Sequence, residues 1–127
     1  MMEQIKGLTP IGQVAVFYIP AMKLDCREFG DGKRTPREII GTFMLYNYNA
    51  YTMEMSNIQG YWRRDKHEHL FAEVNGRYEV SFGGGVERVR EFVDFLSEVC
   101  SMMKEEAIYV TMGYQSYLVS PKGTNEI

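Results

Sequence analysis

The sequence predicts an α+β fold in which an antiparallel sheet carries two helices on one face, in the chain order β-α-β-β-(β)-α-β. Three observations predict it. Gln13–Pro20 is an apolar run rich in β-branched and aromatic residues. A capped helix opens at Thr35, and a second, strongly amphipathic one begins at Val86. Strand-patterned segments at 58–82 and 107–119 fill the remaining places.

Almost every residue of Gln13–Pro20 is apolar, so both faces of this strand are expected to be covered, and Pro20 ends it. The polar connection 21–34, with its Gly30-Asp31-Gly32 turn signal, is long for a small domain. Thr35-Pro36-Arg37-Glu38 is a capping box with proline at the first helical position, and the helix is expected to run to Tyr48. Its apolar set, Ile39, Ile40, Phe43, Met44, Leu45, Tyr46 and Tyr48, is wider than one buried face needs. A loop or another subunit is expected to cover the excess.

Segment 58–65 reads as a strand. In 70–82, Leu70, Ala72, Val74, Tyr78, Val80 and Phe82 share one parity, interrupted by Asn75-Gly76. A hairpin through Asn75-Gly76-Arg77 and one long strand both keep that parity, and the turn chemistry favours the hairpin. Val86, Val89, Phe92, Val93, Leu96, Val99, Cys100 and Met103 then recur at helical spacing. The final strand segment breaks at Gly113, where a hairpin or bulge is expected.

Two helices on one face of such a sheet is the ferredoxin-like arrangement. The order also resembles a group of small prokaryotic and phage proteins of this fold, in which a Gly-aromatic-Trp strand follows the first helix. Here that strand is Gly60-Tyr61-Trp62, and the resemblance spans 13–119.

Length and composition set the bounds. The 127 residues suit a single domain, 1–127, with an ordered core over 13–119 and a loose tail at 121–127. Cys26 and Cys100 are too few for a disulfide framework and read as free thiols. A formal net charge of −3 argues against bulk nucleic-acid binding. No signal peptide or membrane-length apolar run is seen, so a cytoplasmic location is expected, the host cytoplasm if the source is viral.

Four groups of residues could carry chemistry. Tyr61-Trp62-Arg63-Arg64 joins stacking surfaces to guanidinium donors, which suits a base and a phosphate, and Tyr109, Tyr114 and Tyr117 could add aromatic surface. Gly83-Gly84-Gly85, between a strand and a helix, leaves backbone N–H groups for an anion, although it is neither a Walker loop nor a dinucleotide fingerprint. His67 and His69 lie two apart and could share a metal with Glu73 or serve as acid–base groups, but a polar loop tip explains them as well. Cys26 beside Arg27 is a weak nucleophile candidate.

Neither metal nor cofactor is expected. The leading expectation is a non-catalytic homo-oligomer that captures a small anionic ligand, with phage-type sequestration of a host signalling nucleotide as its concrete form. The alternatives are a small hydrolase or phosphodiesterase using His67 and His69, and a protein-interaction module that inhibits a host factor through its aromatic face.

Overall fold

The computed structural model describes residues 5–63, 65–67 and 70–123, with backbone only at 56 and 57. The elements are β1 (Gln13–Pro20), α1 (Ala21–Leu24), a 3-10 turn (Arg27–Phe29), α2 (Pro36–Tyr48), β2 (Thr52–Trp62), β3 (Phe71–Phe82), α3 (Gly85–Met102), β4 (Ile108–Met112) and β5 (Gln115–Val119). The strands form one antiparallel sheet in the order β2-β3-β1-β4-β5. This is the ferredoxin-like α+β arrangement with a hairpin strand, β5, added at one edge. No helix among the described residues is long and apolar enough to cross a membrane.

The helix signals act as expected. The Glu38 amide N–H donates to Thr35 Oγ1 at 3.2 Å, and the Thr35 N–H donates to Glu38 Oε1 at 2.9 Å. The box therefore satisfies two of the donors left open at the start of α2. Ile40, Gly41 and Met44 of α2 are buried, whereas Leu45 and Tyr46 are 53% and 86% exposed. In α3, Phe92, Leu96, Val99 and Cys100 are buried, followed by Met103 at its end, while Val86 lies outside the core at 67% exposed.

One face of the sheet meets these helices. Ala15, Phe17 and Ile19 of β1 are fully buried with Tyr78, Val80 and Phe82 of β3 and Ile108 and Val110 of β4. Phe17 stacks on Tyr78 at 4.9 Å and meets Phe92 of α3 edge-on at 5.8 Å. The expectation that both faces of β1 are covered is corrected. Val14 is 45% exposed and Val16 and Tyr18 are half-buried, because no helix among the described residues lies over that side of the sheet.

The favoured hairpin at Asn75-Gly76-Arg77 is corrected too: β3 runs straight through it as one strand. Asn75, Gly76 and Arg77 pair in ladder with Pro20, Ile19 and Tyr18. Gly76 is there for space. A Cβ on it would meet Met53 Cε at 2.9 Å, Leu24 Cδ1 at 3.0 Å and Met55 Sδ at 3.1 Å. β2 also starts earlier than expected, at Thr52, and carries an irregularity between Glu54 and Ile58 where its register against β3 shifts. The hairpin at Gly113 is present, with φ of 62° at the glycine.

Two measurements check this core. Phe92→Ala is expected to destabilise by about 3–5 kcal/mol and Leu96→Ala by about 2–5 kcal/mol in urea melts, and a loss under about 1 kcal/mol would place the wrong face inside. Gly76→Ala is expected to cost about 1–3 kcal/mol through overpacking, whereas a neutral result would contradict the continuous strand.

Candidate functional site

The side of the sheet without helices holds a cleft. Its origin is the unequal length of the strands. β1 stops at Pro20, opposite Asn75, while β3 continues back to Phe71 paired only with β2. By strand parity Glu73 and Asn75 lie on the same side of the sheet as Tyr18 and Pro20. The cavity at this end is about 670 Å³, within the range of small-molecule sites. Its lining comes from β1 (Tyr18, Pro20), from β2 between Ile58 and Trp62 with Arg63 beyond it, from β3 (Glu73, Asn75), from 105–107 and Tyr109, and from Leu118 of β5.

Aromatic side chains dominate one part of it. Trp62 stacks on Phe71 with centroids 4.5 Å apart, and Tyr18 lies 6.0 Å from Tyr109. Tyr61 points to the opposite side of β2 from Trp62, and its hydroxyl donates to Gln59 Oε1 at 2.6 Å. The Tyr109 hydroxyl is held below its ordinary range by hydrogen bonds to Ser116 and Thr111. Asn75 is a buried polar residue at 8% exposed, and its Nδ2 lies where a Cβ on Gly60 would meet it at 2.8 Å, so Gly60 keeps room for the amide.

The charge of the cleft is acidic. Among the described residues the lining holds Glu73, Glu105 and Glu106 against the single guanidinium of Arg63. Burial pushes the Glu73 carboxyl above the ordinary carboxylate range, the Glu105 charge adds to this, and Lys23 opposes it. Such a lining suits a cation better than a phosphate.

The residues singled out in the sequence fall in several places. Trp62 and Arg63 line the cleft, Tyr61 borders it from the other side of β2, and the Arg63 guanidinium donates to the Lys66 carbonyl at 3.4 Å. Arg64 and His69 lie outside the described residues. Gly83, Gly84 and Gly85 are at the far end of β3, whose 12 residues span about 36 Å, so one small ligand cannot touch both groups. Gly84 caps α3 at φ 98° with no side-chain cap, and Gly83 and Gly85 border a separate cavity of about 240 Å³.

His67 is exposed in the turn between β2 and β3, with its N–H donating to Asp65 Oδ1 at 2.7 Å, and lies outside the cleft lining. Among the described residues no three His, Cys, Asp or Glu side chains cluster as metal ligands. Cys26 and Cys100 are free, and burial pushes the Cys100 thiol up to about 11. Tyr114 is fully exposed at the β4–β5 turn. Tyr18, Asn75, Glu105 and Glu106 were missed in the sequence. Their meeting depends on the pairing of β1 with both β3 and β4, and no local spacing encodes it.

No protein-family model matches the chain, and no curated protein does. Two solved structures do. One is described as a phage SAM lyase in complex with S-methyl-5′-thioadenosine, with a TM-score of 0.55 and 9% identity over 96% of this chain and 100% of that one. The other is a phage SAM lyase in the apo state, with a TM-score of 0.52 and 14% identity over 98% and 99%. At such identities the likeness establishes the fold. Both structures are of enzymes, and this overturns the expectation of a non-catalytic protein that sequesters a nucleotide.

Trp62 is 37% exposed at the sheet corner, so its loss is expected to leave the fold intact. Trp62→Ala should cost about 1–2 kcal/mol, mostly the stacking on Phe71 and some apolar area. A loss above about 4 kcal/mol in urea melts would make it a core residue instead.

Proposed function

We propose that this chain is a small lyase whose substrate is the sulfonium nucleoside S-adenosylmethionine, and that it breaks the bond from sulfur to the amino-acid carbon chain and releases methylthioadenosine. The observation that carries this reading is the lining of the cleft, where aromatic rings stand beside carboxylates. An adenine ring suits the surface of Trp62, Tyr18 and Tyr109. The sulfonium and the ammonium of the amino-acid portion are cations, which suit Glu73 and the aromatic faces. The full-length likeness to two SAM lyases supports the same reaction class.

The chemistry needs little from the protein beyond position and exclusion of water. The substrate's own carboxylate attacks the carbon attached to sulfur. A carbon–oxygen bond forms, the carbon–sulfur bond breaks, and its electron pair goes to sulfur. The sulfonium becomes a neutral thioether and the amino-acid portion closes as a lactone. No proton moves and no water is consumed. Opposite charges annihilate in this step, so aromatic walls that exclude water favour it. A carboxylate beside the sulfonium stabilises the ground state more than the transition state. Glu73 is therefore assigned to the substrate ammonium, whose charge persists, and Trp62 to the adenine. His67 has no part.

The test is incubation of the purified protein with S-adenosylmethionine, followed by chromatography and mass spectrometry of both products. Methylthioadenosine together with the lactone is expected, and an unchanged substrate would overturn the reading. Glu73→Gln should lower kcat/KM about tenfold or more, since a charged hydrogen bond contributes about 1.5–3 kcal/mol. His67→Ala should leave turnover unchanged. Binding should weaken on acidification, because Glu73 offers its charge only above its own raised pKa.

A further inference from the structure

Outside the cleft lining stands a residue that is paired with one of its carboxylates. Lys23, in α1, reaches the end of α3, where its ammonium donates to the Met103 carbonyl at 2.8 Å and lies 3.5 Å from the Lys104 carbonyl. It also pairs with Glu105 Oε2 at 2.5 Å and sits over the Phe29 ring at 4.7 Å. Both partners are shielded, with side chains 24% and 16% exposed. Glu105, by contrast with Lys23, lines the cleft.

The backbone explains how Glu105 comes to be there. Helix α3 ends in a Schellman motif: the Lys104 N–H donates to Ser101 O at 3.1 Å and the Glu105 N–H to Cys100 O at 3.0 Å. Lys104 takes the left-handed position, φ 59°, normally given to glycine. The motif fixes Glu105 three residues past the helix, and Lys23 caps the Met103 and Lys104 carbonyls that the motif leaves open. A cation there also complements the negative end of the helix dipole.

We propose that Lys23 is a positioning residue for the cleft: by pairing with Glu105 at the end of α3 it cancels one of the cleft's carboxylates, so that Glu73 keeps its negative charge for a cationic ligand. This rests on the reading of the cleft as a site for a sulfonium nucleoside. Lys23 from α1 and Glu105 before β4 act on Glu73 directly, and Tyr18 from β1, Arg63 after β2, Glu106 before β4 and Tyr109 from β4 line the same cleft. Without the Lys23 ammonium, Glu105 stands uncompensated and disfavours a second negative charge at Glu73.

The experiment measures the affinity of decarboxylated S-adenosylmethionine as a function of pH by calorimetry. This probe carries the ammonium assigned to Glu73 and lacks the carboxylate that attacks, so neither its charge nor turnover changes over an acidic profile. In the native protein, binding is expected to fall as pH drops through the Glu73 titration. In Lys23→Met the midpoint should move up. In Lys23→Met/Glu105→Gln it should return toward or below the native value, because the uncompensated charge is gone. Glu105→Gln alone should move it down, and this arm stands even where Lys23→Met does not fold.

A lysine that only braces the helix end would weaken binding at every pH, leave the midpoint in place, and show no recovery in the double variant. That result overturns the proposal while leaving the binding site intact. No binding by the native protein at any pH overturns both the proposal and the sulfonium reading.

Discussion

The pairing of β1 with β3 along its whole length governs the rest of the molecule. Eight residues of β1, Gln13–Pro20, face Phe82 back to Asn75 without a slip. This register puts Ala15, Phe17 and Ile19 beside Val80, Tyr78 and Gly76 on the helix side, and Tyr18 and Pro20 beside Arg77 and Asn75 on the other. Core and cleft are thus two sides of one ladder. A shift of one residue would send Phe17 and Tyr78 to solvent and turn the polar row inward, which is why the buried face specifies the open one.

The passage of β3 through Gly76 makes that ladder possible. Leu24 of α1 and the methionines of the irregular part of β2, Met53 and Met55, occupy the space a side chain would take. The same contact anchors α1, and α1 carries Lys23 to the end of α3. The short helix thereby joins packing to electrostatics. Its leucine fills the core over Gly76, and its lysine meets the acidic edge of the cleft.

Much of the fold was legible in the sequence because it is encoded locally. The Thr35–Glu38 box, the apolar spacing from Phe92 to Cys100 and the turn at Gly113 each carry their own signal. Asn75-Gly76 misled for a physical reason. The pair has the chemistry of a tight turn, but tertiary packing around Gly76 outweighs that local preference. At the cleft, the stacking surface of Trp62 could be read directly. Its acidic side could not, since Glu73, Glu105 and Tyr18 are far apart in the chain and meet only through the sheet. Arg63 beside those aromatics suggested phosphate, while the assembled lining is dominated by carboxylates.

The central claim is that this cleft recognises positive charge on a nucleoside. Its most direct test compares a ligand with both positive charges and a neutral one, decarboxylated S-adenosylmethionine and methylthioadenosine, titrated into the native protein at neutral pH. The account predicts that the cation binds about tenfold more tightly, a difference of about 1.4 kcal/mol. Equal affinities, or a preference for the neutral thioether, would contradict it.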